Sequence, residues 1–207
     1  MQHVHNDEYT SFYGPRIGGL LTLWFAAALA FVASGALARA PAFALPASIT
    51  LLTFATLVVL WGTAPGRAWS GRLSLAMLAW FHVWRVVPGV AFLVLHAQGA
   101  LPWGFAVPGG IGDVAVGVVA PLAAWLGTKV DSRSALAGYV ALTVLGIVDL
   151  ANVVRAALIL SLHDPASMHL LRQLPLGLLP TFAVPITFAA HALALHRAGS
   201  AIFRRTI

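Results

Sequence analysis

The stretch AWFHVWRVVPGVAFLVLH (residues 79–96) is long and apolar enough to cross a bilayer, yet it carries His82, Arg85 and a Pro88-Gly89 pair at its centre. About 20 apolar residues span the hydrocarbon core. An arginine in the middle of such a span costs roughly 2.5–3.5 kcal/mol on insertion scales, while a leucine returns only about 0.3–0.6 kcal/mol. A chain that keeps a guanidinium there must offer it a partner inside the protein.

Composition puts the rest of the chain in the same solvent. Of 207 residues, 60% are hydrophobic and 9% charged, and the mean hydropathy is +0.89. A soluble domain carries about 25% charged residues, so too few are present here to cover a water-facing surface. Six apolar runs stand out, at residues 17–37, 46–63, 73–96, 109–128, 134–162 and 175–196. The fold class expected is therefore all-α, a polytopic bundle of six transmembrane helices over residues 17–196. A tail of residues 1–16 precedes it and a basic tail of residues 197–207 follows. No interval between runs is long enough for a separate soluble domain.

Orientation follows from the loops. With six spans, both termini share a side with the second-to-third and fourth-to-fifth connections. That side carries Arg16, Arg67, Arg72, Lys129, Arg133, Arg197, Arg204 and Arg205, and the other only Arg39 and Arg172. The positive-inside rule places both termini in the cytoplasm. Trp61 and Trp69 fall near the inner boundary and Trp103 near the outer, as in an aromatic belt. The net charge of +6 belongs to this pattern and does not call for nucleic acid, because the basic residues sit in short flanking loops. The absence of cysteine excludes disulfides, thiolate chemistry and iron–sulfur ligation. The first run follows a tail containing Asp7 and Glu8 rather than a basic segment. ALARA after it resembles a signal-peptidase site, but the run is too long for a signal peptide's apolar region, so the helix is expected to be retained. The uncharged, proline-containing connection AQGALPWGFAVPGG (97–110) is expected to form a re-entrant or interfacial segment between the third and fourth spans.

Four ionisable side chains lie within runs: Arg85, Asp113, Asp149 and Arg155, with Asn152 between the last two. Arg85 and Asp149 fall near the middle of their spans, whereas Asp113 and Arg155 lie toward the outer side. This permits two pairs, Arg85 with Asp149 and Arg155 with Asp113, or one four-membered network. Two acids and two bases balance to zero, as a low-dielectric interior prefers. Gly110, Asp113 and Gly117 share one helical face, and Gly146 precedes Asp149 by three, so glycines give the charged groups room to meet. Pro88, Pro121 and Pro185 release the carbonyls of Trp84, Gly117 and Thr181, and such breaks often mark sites in transporters.

His82 and His191 both lie in the cytoplasmic half. On facing helices they are candidate axial ligands of a b-type haem or of a metal, although the commoner arrangement has each histidine donating to a neighbouring carbonyl. The sequence contains no metalloprotease, serine-nucleophile, nucleotide-loop or paired acidic lipid-phosphate pattern. An enzyme is therefore not the leading expectation.

RVVPGVAFLVLHAQGALPWGFAVPGGIGDVAVG, followed by GIVDLANVV and LLPTFAVPITFAAHALAL, resembles a group of small multi-pass bacterial membrane proteins that are uncharacterised. The landmarks are Arg85, Gly89, Pro102, Gly112-Asp113, Asp149 and residues 185–191. The resemblance implies the bacterial inner membrane and lends no activity.

Three functions fit these residues. The first is a small transporter or a proton- or ligand-handling protein. In it Arg85 holds an anionic group or the Asp149 carboxylate, Asp149 takes the proton, and Asp113 and Arg155 form an outer gate. The second is a redox protein carrying haem b between His82 and His191, with quinone near Arg85. The third is an accessory subunit of a larger membrane complex, or a homo-oligomer, whose charges serve assembly.

Overall fold

The computed structural model describes the backbone of residues 2–203 and the side chains of residues 17–203. Helices follow one another in the order α1 (Gln2–Ala33), α2 (Ala36–Arg39), α3 (Ala44–Gly62), α4 (Ala64–Ser70), α5 (Leu75–Trp80), α6 (Val86–Ala97), α7 (Trp103–Gly127), α8 (Arg133–His163) and α9 (Val184–Phe203). A tight 3-10 segment, Phe81–Arg85, joins α5 to α6, and one wide π turn, Leu179–Ala183, leads into α9. Five helical segments are long and apolar enough to cross a membrane: Ala44–Gly62, Leu75–Ala97, Trp103–Gly127, Arg133–His163 and Leu179–Phe203. The apolar described part of α1, Ile17–Ala33, is shorter. The last helix continues to Phe203, past the expected end at residue 196. Of the termini, the side chains of residues 1–16 and the structure of residues 204–207 lie outside the described residues.

The connection at 97–110 is not re-entrant. The chain turns at Gly99, where φ is 72°, and α7 begins at Trp103 behind Pro102. A proline at a helix entry has no N–H to leave unpaired, and Pro108 lies close enough to that entry to cost only the bond to the carbonyl of Gly104. The two prolines therefore start α7 early rather than breaking the segment out of the bundle.

Of the three prolines expected to break spans, Pro88 and Pro185 act much as the sequence predicts, whereas α7 runs on as one helix through Pro121. One turn before Pro88 the ladder tightens into the 3-10 segment ending at Arg85. Ahead of Pro185 it widens into the π turn. The carbonyl of Thr181, released by Pro185, accepts a hydrogen bond from the indole N–H of Trp24 at 2.9 Å. Phe182 then receives Trp24 and Phe25 edge-on, at 5.1 and 5.2 Å. In this way α1 is docked on the last span.

α7 packs against α5, α6 and α8, and α9 against α3, α5 and α8. Two hydrophobic cores result, one at each end. At one end, Phe92, Phe105, Leu101, Met168, Leu171 and Leu176 form the first, and Arg172 donates to the carbonyl of Ala40 at 2.6 Å. At the other, Leu75, Leu78, Leu136, Tyr139 and Leu193 pack among Ala79, Ala123, Ala124, Ala194 and Ala198. There Arg197 donates to the carbonyls of Ser70 and Gly71 at 2.8 and 2.9 Å. These are called the Arg172 end and the Arg197 end below. Between them lies a layer of polar side chains.

Candidate functional site

Arg85 holds the middle of that layer. It is 1% exposed. Its Nε donates to Asp113 Oδ1 at 2.6 Å, its Nη2 to Asp149 Oδ2, and its Nη1 to the carbonyl of Gly146 at 3.3 Å. Three segments thus converge on one guanidinium: the 3-10 segment, α7 and α8. Charge-assisted bonds of this kind are about twice as strong as neutral ones, and the planar fork reaches both carboxylates and a backbone acceptor at once.

Backbone proximity makes the convergence work. A Cβ on Gly89 would sit 2.8 Å from the Gly110 carbonyl and 2.9 Å from Asp113 Cβ, so α6 and α7 cross at these two glycines. A Cβ on Gly112 would overlap the carboxylate of Asp149. Gly112 is therefore the notch through which α8 delivers its acid, a role not legible from its place in the predicted glycine face. Gly110, Gly117 and Gly146 take close contacts from Leu93, Val86 and His191 respectively, in keeping with the predicted glycine face.

The predicted partners of Arg155 are not found. Asp113 turns to Arg85, not to Arg155, and Arg155 and Asn152 are exposed. Arg155 makes no ion pair among the described residues. The cause is rotational. Six residues of α-helix turn about 600°, which leaves Arg155 roughly 120° around α8 from Asp149. Depth along the axis allowed the contact and azimuth forbids it. The arrangement is one cation between two acids, instead of two balanced pairs.

His82 and His191 do meet, but face to face. Their ring centroids are 3.8 Å apart and their planes 12° from parallel. Axial ligation of haem needs the nitrogen edge of each ring aimed at the iron from opposite sides of a porphyrin. Rings stacked on one another leave no slot for that plane, so the pair does not fit haem. No group of three or more His, Asp or Glu side chains is assembled for a metal among the described residues. A quinone head beside Arg85 meets the same difficulty, since that guanidinium is enclosed and its donors are engaged.

Two cavities flank the layer. The larger, about 160 Å³, lies toward the Arg197 end and is bordered by Ala79, His82, Ala120, Ala123, Thr143 and His191 among others. The smaller, about 50 Å³, touches Asp113, Trp84, Pro88 and Thr187. Pro121, by contrast, borders neither.

The model of a domain of unknown function, DUF8737, matches residues 40–198, which contain every residue of this layer. The chain belongs to that family. No curated protein and no solved structure matches it. The DUF8737 match begins after α1, so the bond from Trp24 to Thr181 joins a residue outside the matched part to one inside it.

Proposed function

We propose that this chain is a small multi-pass transporter or proton-handling membrane protein of the bacterial inner membrane, with Arg85, Asp113 and Asp149 as its proton-binding site. The supporting observation is the single guanidinium shared by two carboxylates in a buried layer. With all three ionised the cluster carries one net negative charge, which a low-dielectric surrounding strongly disfavours. One proton makes it neutral, and releasing that proton requires a compensating change. Coupling of that kind is what a proton-handling site needs. Asp149 is the more accessible acid, its side chain 18% exposed against 8% for Asp113, and is the member that gains and loses the proton.

Infrared difference spectroscopy of the detergent-solubilised protein between acid and alkaline solution tests this. A carboxylic C=O band that titrates, shifts in heavy water and is lost in Asp149→Asn is the expected result. Permanent ionisation of both acids, with no such band at any pH, overturns the reading.

The membrane orientation proposed with it has both termini and the loops containing Arg67 and Lys129 on the cytoplasmic side. Lys and Arg placement supports it. Single cysteines at the exposed positions Ala64, Ser134 and Ala166 of this cysteine-free chain check it. An impermeant thiol reagent added to intact cells should label only Ala166→Cys, and the opposite pattern inverts the topology.

A second reading, assembly into a homo-oligomer or larger complex, is favoured by one observation. α8 presents Asn152 and Arg155 outward along with Val148 and Ile159. Cross-linking through Ile159→Cys in native membranes should then give a discrete adduct that Arg155→Leu weakens. Purely monomeric protein removes this reading.

A further inference from the structure

α8 carries a second arginine that the buried cluster does not use. Its outer side presents Leu145, Val148, Asn152, Arg155, Ile159 and Leu162, all exposed. The steps between them alternate between three and four residues, a period of about 3.5 that keeps one straight stripe turned toward a neighbouring helix. The stripe covers about 25 Å of α8 at the usual helical rise, most of a hydrocarbon core about 30 Å thick.

Arg155 sets this stripe apart from an ordinary lipid-facing surface. It lies about 10 Å past Val148, the midpoint of α8 (Arg133–His163), and so within the roughly 15 Å half-thickness of the core. Among the described residues it is the charged side chain that is exposed within a span and away from the span's ends. It takes part in no ion pair there. Acyl chains offer a guanidinium nothing, and charged residues at depth pair with one another or face a protein interior. Asn152, one turn nearer the middle, adds the donors and acceptor of an amide to the same stripe.

The chemistry of the missing partner follows by elimination. Lipid phosphates at the Arg172 end are out of reach. Arg155 stops about 12 Å short of His163, and helical side chains lean toward the N-terminus, here the Arg197 end. A second copy of the chain cannot supply the counter-charge either. Of its six acids, Asp113 and Asp149 are held by Arg85, and Asp131 and Asp164 lie beyond the two ends of α8. Asp7 and Glu8 are at the far end of α1 from Val32, which packs at the Arg172 end. Two α8 helices in one orientation would set Arg155 against Arg155, like charge on like charge. A carboxylate on a different chain remains, and the planar fork of arginine takes one through two hydrogen bonds.

We infer that this stripe of α8 docks a single transmembrane helix of a different membrane protein, one that carries an Asp or Glu in the half of the bilayer at the Arg172 end and pairs it with Arg155. Such a partner presupposes the assembly reading given above and narrows it to a heteromeric complex with an acidic span. It does not depend on proton binding at Asp149.

The test places purified full-length protein in phosphatidylcholine vesicles with a synthetic span of about 20 leucines and alanines that carries one aspartate at the depth of Arg155. A control peptide has leucine there. Association is read by energy transfer to the peptide from a dye on Ala166→Cys. The aspartate peptide should associate about tenfold more strongly than the control, the scale of one interhelical polar contact in a bilayer. The advantage should vanish in Arg155→Leu. Arg155→Glu should reverse the preference and take a peptide with arginine in that place over the aspartate one. Both variants should keep the parent's cooperative unfolding, because Arg155 makes no ion pair among the described residues. Equal association of the two peptides with the parent overturns the inference, and so does an aspartate preference that survives Arg155→Leu. Phosphatidylglycerol retained by the parent and lost in Arg155→Leu, with no preference for aspartate, assigns the stripe to lipid and overturns it. Cross-linking of two copies through Ile159→Cys that the aspartate peptide does not displace overturns it too, while leaving assembly itself intact. Absence of any Ile159→Cys adduct in native membranes instead removes the assembly reading, and with it the native partner.

Discussion

The two ends of the bundle share α7 and α8 and are filled differently. At the Arg172 end, Phe92 and Phe105 meet edge-to-face with centroids 4.9 Å apart, and Met168, Leu101 and Leu171 close around them. At the Arg197 end, alanines occupy several inward positions of α5, α7 and α9. The cavity left at the filled end is about 50 Å³ and at the alanine end about 160 Å³. Small side chains at the Arg197 end help to separate a chamber from a packed plug. The buried cluster of Arg85 lies where the one gives way to the other.

Substitutions in the plug and in the cluster should have the largest effects. Phe92→Ala should cost about 3–5 kcal/mol of unfolding free energy in mixed micelles. Arg85→Leu should cost a similar amount, about 3–5 kcal/mol, because it strands buried carboxylates. A loss below 1 kcal/mol for Phe92→Ala would mean the two ends are packed alike after all. Gly112→Ala comes next. Its methyl group meets the Asp149 carboxylate, and overpacking of this kind costs about 1–3 kcal/mol. The same variant should move the infrared band assigned to Asp149.

Ala123→Leu sharpens the comparison from the other side. In a filled core the added bulk would cost about 1–3 kcal/mol, but here it grows into the chamber, so its effect should stay within about 1 kcal/mol. A full overpacking penalty in the same mixed-micelle titration would show that the chamber is filled in the working protein. The smallest effects concern α8. Arg155→Leu should change unfolding by no more than about 0.5 kcal/mol. A double-mutant cycle of Asp113 with Arg155 should be additive within about 0.3–0.5 kcal/mol, against a coupling of about 0.5–3 kcal/mol for Asp113 with Arg85. Strong coupling of Asp113 to Arg155 would restore the two-pair arrangement.

Much of this was legible in the sequence, because insertion energetics speak along the helix axis. The cost of Arg85, Asp113 and Asp149 at depth forced them to look inward, and the glycines on α7 and at Gly146 pointed to close crossings. What the axis does not carry is rotation. Arg155 lies at a suitable depth for Asp113, but on another side of α8. The stacking of His82 on His191 likewise depends on how α9 enters through its π turn, a detail that hydropathy does not encode. The segment at 97–110 misled for a related reason. Proline and glycine in an apolar run signal a break, but the same residues serve at a helix entry, and composition does not distinguish the two.

The bond between Trp24 and Thr181 joins residues 157 apart in the chain, and with Phe182 it is where the first helix meets the last span. Such a seam has consequences for biogenesis. During synthesis α1 is made well before α9, and its indole N–H finds no acceptor of this kind until the π turn before α9 has been made. The carbonyl freed by Pro185 is in turn left waiting unless α1 has stayed nearby. Closure of the bundle at this seam thus waits on a stretch made 157 residues after Trp24.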